Sequence, residues 1–315
     1  MPAIITISES DRRLADAQYP VATTTPRPSL AAAVACLLAA QFFFNCVDAT
    51  GKLLLESNAV LAVLFARNMM HAVAMTAYVG WHYRGLPPAP PRRDLQIWRG
   101  VAMFAFVAFF FGALAYLPQA EAAAIVFTTP LVIMVGAGPL LGERVTAARW
   151  TAAIVGFAGM LVVIRPGTSL APLGVAFALA AIACNACFQL LTRRLALAAP
   201  PLVTLWWTAM ICAIGSVLLL PIAPALRWPD LRETLLALSF GVTGTVCHFF
   251  LIGAYRRAPA SAIAPFIYVH IVYSVIFGWA VFGQLPDAIT LAGIAVIIAS
   301  GAGIALYERR RAARG

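Results

Sequence analysis

The chain has 315 residues, of which 62% are hydrophobic and only 11% are charged, and its mean hydropathy is +0.89. A soluble domain carries about 25% charged residues, so this composition excludes an ordinary soluble protein and predicts an integral membrane protein. The formal net charge is +10, but the basic residues are scattered over separate polar links, which excludes nucleic acid as the expected partner.

Ten long apolar runs, joined by short polar links, follow one another along the chain. A membrane-spanning helix needs about 20 apolar residues. Lipid cannot satisfy free backbone groups, so each run is predicted to be a helix and not a strand. The predicted spans are 30–51, 58–82, 97–117, 120–141, 147–164, 172–192, 201–222, 233–255, 260–282 and 288–306. Together they leave no room for a separate soluble domain.

The ten spans divide into two similar sets of five. Leu-Leu-Gly-Glu-Arg at 140–144 ends the fourth span, and Val-Phe-Gly-Gln at 281–284 ends the ninth. Because five is odd, the second set must enter the membrane from the opposite side, and such inverted repeats place a pathway at their interface. The prediction is an all-α integral membrane fold of ten transmembrane helices in two inverted five-helix repeats, 30–164 and 172–307.

The distribution of basic residues predicts the orientation of these helices. Because the predicted spans alternate in direction, each link lies on one of the two sides of the membrane. Four basic residues lie on one side: Lys52, Arg165, Arg227 and Arg232. Seventeen lie on the other, and Arg67 lies inside a span; the seventeen are Arg12, Arg13, Arg27, Arg84, Arg92, Arg93, Arg99, Arg144, Arg149, Arg193, Arg194, Arg256, Arg257, Arg309, Arg310, Arg311 and Arg314. Cytoplasmic links of membrane proteins are enriched in Lys and Arg. Both termini are therefore predicted to be cytoplasmic, with a disordered tail at 1–29 and a basic tail at 308–315.

Polar side chains inside three spans recur at helical spacing and form stripes within about 60° of arc. Span one carries Gln41, Asn45, Asp48 and Lys52, span two carries Arg67, His71, Tyr78 and His82, and span six carries Asn185, Gln189 and Thr192. A charge at mid-membrane costs about 2.5–3.5 kcal/mol on the insertion scale, so we expect the stripes to avoid lipid. They line a hydrated pathway or form hydrogen bonds that hold the bundle together.

Arg67 is the most costly residue to place in lipid, since it lies near mid-membrane. Its guanidinium either pairs with Asp48 or receives the carboxylate of a substrate. Lys52, at the end of the first span, is predicted to extend to the membrane interface.

Other candidate pathway residues are histidines and aromatic residues of the spans. His71, His248 and His270 either couple transport to protons or are hydrogen-bonded packing residues. Tyr268 shares the helix of His270, and Trp207, beside Trp206, serves either in an interfacial aromatic belt or in stacking on a substrate. Pro130 and Pro265 loosen spans four and nine, and we expect these two helices to move.

The sequence resembles the drug/metabolite transporter superfamily, in its ten-helix EamA-type branch. The resemblance covers nearly all of 30–307. It is carried by the ten-span plan, the polar first span ending in Lys52, Arg67 in the second span, Thr-Pro-Leu-Val at 129–132, Leu-Gly-Glu-Arg at 141–144 and the weaker echo at 281–284. The second half departs from the family pattern in two ways: Gln284 stands where the family has Glu, and Pro265 is displaced from the position equivalent to Pro130.

The resemblance implies a single-chain carrier in the bacterial inner membrane that exports small metabolites by alternating access. It is similar to the bacterial aromatic amino-acid exporters, which implies apolar or aromatic amino acids as substrates. The alternatives are a multidrug or other metabolite carrier, a channel and an intramembrane enzyme, although the chain has none of the common hydrolase, metal or phosphate-binding motifs. No metal, cofactor or obligatory protein partner is predicted, so a monomer would suffice. The six cysteines all lie within predicted helices and indicate no disulfide framework.

Overall fold

The structure, a computed structural model, describes residues 30–87, 90, 92–129, 131–133, 146–164, 170–195, 201–222, 229–258 and 263–312. These residues contain ten α-helices and no strand. The helices are α1 (Leu30–Leu55), α2 (Val60–Tyr83), α3 (Arg93–Tyr116), α4 (Gln119–Val126), α5 (Ala147–Ile164), α6 (Pro172–Leu195), α7 (Pro201–Leu218), α8 (Leu231–Arg257), α9 (Val269–Phe282) and α10 (Ala288–Ala312). Two 3₁₀ segments, Leu220–Ile222 and Ala264–Tyr268, follow α7 and precede α9. The prediction of an all-α fold is confirmed.

Six of the helices, namely α1, α2, α3, α6, α8 and α10, are long and apolar enough to cross a membrane. The apolar parts of the other helices are shorter. Helix α5 has the predicted bounds, whereas span nine is interrupted: Pro265 lies in the 3₁₀ segment, and regular helix begins only at Val269. Proline lacks a backbone N–H donor, so it suits the first turn of a helical segment.

Some predictions fall at or beyond the edges of the described residues. The tail at 1–29, Pro130 and residues 134–145 lie outside them. Helix α10 continues to Ala312, so the predicted basic tail at 308–315 begins as part of that helix.

Helices of the two halves pack against one another in a regular pattern. The most extensive contacts are those of α3 with α6, α1 with α8 and α5 with α10. Each helix of the first half corresponds to the helix five positions later in the chain, so α1 corresponds to α6 and α3 to α8. Under this correspondence the contact of α1 with α8 matches that of α6 with α3, α2 with α8 matches α7 with α3, and α1 with α9 matches α6 with α4. All of these pairs are in contact. These contacts are therefore equivalent in the two halves.

Helix ends meet in a way that fits helices of alternating direction. Lys52, near the end of α1, donates to the carbonyl oxygens of Leu114 and Leu117 at the end of α3. Its ammonium also lies 5.5 Å from the ring centroid of Phe282 at the end of α9. Lys52 thus caps a helix C-terminus, where a cation is favourable, and its extension to the membrane interface stays a prediction. Which face of the bundle is cytoplasmic stays a prediction from the arginine distribution.

Helices α5 and α10 approach closely through glycines. A Cβ on Gly293 would lie 2.9 Å from the carbonyl oxygen of Gly159, too close for any larger residue without a backbone shift. Small residues at such a crossing allow close helix packing within lipid. These two helices support the bundle and contribute little polar chemistry.

Candidate functional site

Asn45 lies at the centre of a buried network that joins α1, α4 and α9. Its side-chain nitrogen donates to the carbonyl oxygens of Gln41 (3.1 Å) and His270 (3.2 Å). Its Oδ1 accepts from Gln119 Nε2 (3.2 Å) and Ser274 Oγ (2.8 Å). With 0% of its surface exposed, Asn45 uses its full hydrogen-bonding capacity. We call these five residues the Asn45 network.

Asp48 continues this network one turn further along α1. Its Oδ2 lies 3.2 Å from His270 Nε2, and His270 Nδ1 lies 3.0 Å from Gln41 Oε1. The imidazole also stacks on the ring of Phe127, with centroids 4.5 Å apart and an angle of 19° between the planes. The structure therefore brings together Gln41, Asn45, Asp48 and His270, which the sequence could only place on two separate helices.

Arg67 has no acidic partner among the described residues. One terminal nitrogen donates to Asn68 Oδ1 (3.0 Å), and the guanidinium lies 5.8 Å from the ring centroid of Phe111. Its Nε is buried without a partner in the described part of the chain. The alternative in which Arg67 pairs with Asp48 is wrong for this structure, because the carboxylate of Asp48 lies against His270 instead.

Two histidines lie beside Arg67. The His71 and His248 rings are 5.1 Å apart, and His248 Nδ1 lies 2.7 Å from the carbonyl oxygen of Gly244, to which it can only donate. His71 Nδ1 is buried with no partner among the described residues. Gly244 permits this arrangement, since a Cβ there would lie 3.2 Å from His71 Nδ1.

These groups line a cavity of about 10 Å³ between α1, α2 and α8, which is room for about one water molecule. Its lining residues are Phe44, Val47, Arg67, His71, Gly244, Cys247 and His248. The lining contains a cation and two imidazoles but no carboxylate. Ligand pockets usually enclose about 300–1,000 Å³, so helices must separate before this space can hold a metabolite. We call this space the Arg67 cavity.

A second buried arginine was missed from the sequence. The sequence counts Arg99 only as a basic residue of the cytoplasmic side, at the start of the third predicted span. It lies in the second turn of α3 and is only 4% exposed. Its Nε donates to Thr192 Oγ1 (2.7 Å), and one terminal nitrogen donates to the carbonyl oxygen of Thr204 (3.2 Å) and to Thr208 Oγ1. The guanidinium also lies 4.5 Å from the ring centroid of Phe188. We call Arg99 and these four residues the Arg99 site.

The polar stripe of α6 is less enclosed than that of α1. Asn185 Nδ2 donates to Thr129 Oγ1 at 3.4 Å, and Gln189 Nε2 donates to Asn185 Oδ1 at 3.2 Å. Gln189 is exposed at the surface of the helix bundle. Thr192, the last member of this stripe, belongs to the Arg99 site.

The remaining candidates lie apart from the Arg67 cavity. The Tyr78 ring contacts those of Trp81 and His82 near the end of α2, about 16 Å along the helix from Arg67. Tyr268 is buried against Phe127.

Trp207 lies in α7, and its indole Nε1 is buried without a partner among the described residues. Neighbouring Trp206 donates to Thr76 Oγ1 (3.1 Å) across the contact between α7 and α2. The backbone of Pro265 lies in the 3₁₀ segment before α9.

Named relatives of the chain are transporters and exporters of different substrates. It is 28% identical over 255 residues to the S-adenosylmethionine uptake transporter of Rickettsia felis, covering 80% of this chain and 85% of the relative. It is 29% identical over 247 residues to the riboflavin transporter of Vibrio cholerae, covering 76% of each chain. It is 25% identical over 278 residues to the pseudopaline exporter CntI of Pseudomonas aeruginosa, covering 82% of this chain and 90% of the relative.

The family model for EamA-like transporters matches the chain twice, at residues 31–165 and 172–306. The two matches cover α1–α5 and most of α6–α10, the two halves whose packing is equivalent. The chain is thus a multi-pass membrane protein, and it belongs to the EamA-like transporter family of the drug/metabolite transporter superfamily, as its sequence motifs predict.

Proposed function

We propose that this transporter exports amino acids with apolar or aromatic side chains across the bacterial inner membrane, by alternating access between two inverted halves. The observation that carries the proposal is Arg67: a guanidinium inside an apolar helix, beside a cavity and without a carboxylate in hydrogen-bonding contact among the described residues. A cation at this depth is expensive, so its retention without an acidic partner calls for an anionic ligand.

A carboxylate is the anion that best suits the donors of Arg67. The planar guanidinium binds carboxylates with two parallel hydrogen bonds, and Nε is one of the nitrogens that can take part. Asn68 holds one terminal nitrogen in place, because its own side chain donates to Ser216 Oγ (2.9 Å) on α7. A carboxylate here would face two imidazoles and no competing acid among the lining residues.

The rest of the Arg67 cavity suits an apolar side chain. Phe44 and Val47 of α1 and Cys247 of α8 form its other walls, and aromatic faces stack well on aromatic ligands. The resemblance to aromatic amino-acid exporters supports the same substrate class and the outward direction. The named relatives include both uptake transporters and an exporter, so membership of the family alone determines neither the substrate class nor the direction of transport.

The small volume of the cavity supports a mechanism in which helices move during transport. The Asn45 network holds α1 against α4 and α9, and substrate access would require these contacts to separate on one side at a time. The equivalent packing of the two halves suits such an exchange, since inverted repeats can swap conformations around a central site. The 3₁₀ segment at Pro265 offers a hinge before α9.

Counterflow in liposomes tests this function. Purified protein is reconstituted in vesicles loaded with unlabelled L-phenylalanine, and the uptake of labelled L-phenylalanine is measured. We expect transient accumulation that is inhibited by L-tryptophan and L-leucine and not by L-lysine, with empty vesicles and protein-free vesicles as controls.

Each alternative gives a different result in the same assay. A channel would show no acceleration by the internal amino acid, and an enzyme would change the label chemically. Counterflow with riboflavin or S-adenosylmethionine but with no amino acid would keep the carrier and overturn the proposed substrate class.

A further inference from the structure

An amino acid carries an ammonium group beside its carboxylate, so its site needs a hydrogen-bond acceptor near Arg67. The residues that line the Arg67 cavity include no carboxylate. The carbonyl oxygen of Gly244 already accepts from Cys247 Sγ (3.0 Å) and from His248 Nδ1 (2.7 Å). The acceptors that remain in the lining are the imidazole nitrogens of His71 and His248.

The contact between His248 and Gly244 determines where the hydrogen of this imidazole lies. A carbonyl oxygen can only accept, so His248 Nδ1 carries a hydrogen. A second hydrogen, on Nε2, would place another cation beside Arg67 in a lining without a carboxylate, which is unfavourable in a buried site. The ring is therefore neutral, and its Nε2 has a free lone pair and forms no hydrogen bond with the described residues.

Aromatic neighbours hold the His248 ring on two sides. The Phe44 ring lies 5.3 Å away, centroid to centroid, at an angle of 72°. The His71 ring lies 5.1 Å away at an angle of 36°. Together with the hydrogen bond to Gly244, these contacts fix the direction of Nε2. An acceptor held in this way is positioned before a ligand arrives.

His71 is less available to a ligand than His248. Its Nδ1 is buried without a partner among the described residues and lies against Gly244, where a Cβ would be only 3.2 Å away. This nitrogen is covered as long as α2 and α8 stay in contact. The side chain of His248 is only partly buried and lines the Arg67 cavity, so its Nε2 is the better acceptor for a ligand.

We infer that His248 Nε2 accepts a hydrogen bond from the ammonium of the substrate while Arg67 binds its carboxylate. The inference rests on the proposed function. The two charged groups of an α-amino acid are attached to one carbon atom, so they need a donor and an acceptor that line the same space, as Arg67 and His248 do. The transporter should then select α-amino acids with a free amino group over carboxylates that lack one.

A pair of ligands that differ only in the amino group tests this role. The Kd values of L-phenylalanine and of 3-phenylpropanoate, which lacks the ammonium, are measured by equilibrium dialysis with the purified full-length protein at neutral pH. The wild type should bind L-phenylalanine about 10- to 100-fold tighter than 3-phenylpropanoate, the range expected for a hydrogen bond to a charged group.

A ring-for-ring substitution assigns this preference to His248. His248→Phe keeps an aromatic ring between its neighbours and removes both nitrogens, so it should bind the two ligands with similar affinity. A purely structural role would weaken both ligands equally and leave their ratio unchanged. The matched control is His82→Phe, which changes an exposed histidine in the separate aromatic cluster at the end of α2 and should keep the wild-type ratio.

Three results would overturn the inference. The first is equal binding of the two ligands by the wild type, a comparison that does not depend on the folding of any variant. The second is the full wild-type preference in His248→Phe. The third is loss of the preference in His71→Phe but not in His248→Phe, which would assign the acceptor to His71. A wild type that binds neither ligand would instead count against the proposed function.

Discussion

The two buried arginines occupy equivalent three-helix junctions and differ in what surrounds them. Arg67 lies between α2, α1 and α8, and Arg99 lies between α3, α6 and α7. The two junctions are equivalent because α2, α1 and α8 of one half-to-half contact correspond to α7, α6 and α3 of the other. Threonine oxygens and an aromatic face surround Arg99. Arg67 has a single side-chain acceptor and a buried Nε without a partner among the described residues.

The difference separates a structural cation from one that awaits a ligand. A buried charge is tolerated when surrounding dipoles satisfy it, and the Arg99 site meets that condition without an anion. The Arg67 cavity meets it only in part. Both residues are arginines in the second or third turn of an apolar helix, so residue type and position do not distinguish their roles. The groups that each guanidinium contacts do.

The largest expected effect is the loss of transport in Arg67→Ala. Removing charge-assisted hydrogen bonds of about 1.5–3 kcal/mol should lower L-phenylalanine counterflow about 10- to 100-fold. Abundance in the membrane, measured by immunoblot, should change much less, since no carboxylate of the described residues is in contact with Arg67. An equal loss of transport and abundance would assign Arg67 to structure.

The next effect is a loss of stability in Arg99→Ala. Its threonine partners would be left without their donor, at a cost of about 1–3 kcal/mol, so the melting temperature of the purified protein should fall. Transport per folded molecule should stay closer to that of the wild type than in Arg67→Ala. Normal melting of Arg99→Ala together with abolished counterflow would reverse the roles given to the two arginines.

A smaller effect is expected from Thr192→Val, which removes one acceptor of Arg99 and keeps a similar shape. A loss of about 1–2 kcal/mol should lower the melting temperature slightly and leave the Kd for L-phenylalanine unchanged. Thr151→Val is a matched control, because its hydroxyl bonds only to the backbone of its own helix and is exposed. Similar melting of the two variants would mean that Thr192 does not stabilise Arg99.

The smallest effect concerns thiol labelling at the two junctions. Cys247 lines the Arg67 cavity, and Cys212 is buried on α7, 3.8 Å from the carbonyl oxygen of Gly100 next to Arg99. In variants that keep only one of them, N-ethylmaleimide should label Cys247 slowly, and L-phenylalanine should slow it a few-fold further. Cys212 should not respond to the amino acid; equal responses at both would place the substrate elsewhere.

The arrangement of helices could be predicted well from the sequence, because lipid requires long apolar runs to be helical. Helix α5 has the predicted bounds, and α3 begins at Arg93 where the sequence predicted residue 97. Arg99 is the third residue of the predicted span 97–117 and therefore looks like an interfacial residue at its start. The helix begins four residues earlier than predicted, which places Arg99 in its second turn.

The site could be predicted only in part. Helical spacing places Gln41, Asn45 and Asp48 on one polar face, but their partner His270 lies more than 220 residues away in the chain, and spacing cannot pair distant helices. Spacing also grouped Tyr78 with Arg67, although depth separates them.

Other site residues carried no pattern in the sequence. Gln119 and Ser274 are single polar residues, and the threonines of α7 do not stand out in an apolar helix. Their roles arise only from packing.

Binding of an amino acid and of its amide to wild type and to Arg67→Ala tests the central claim most directly. The wild type should bind L-phenylalanine about tenfold or more tighter than L-phenylalaninamide, which lacks the carboxylate, and Arg67→Ala should bind both with the same weak affinity. If Arg67→Ala kept the full wild-type preference for the carboxylate, Arg67 would not be the group that binds it.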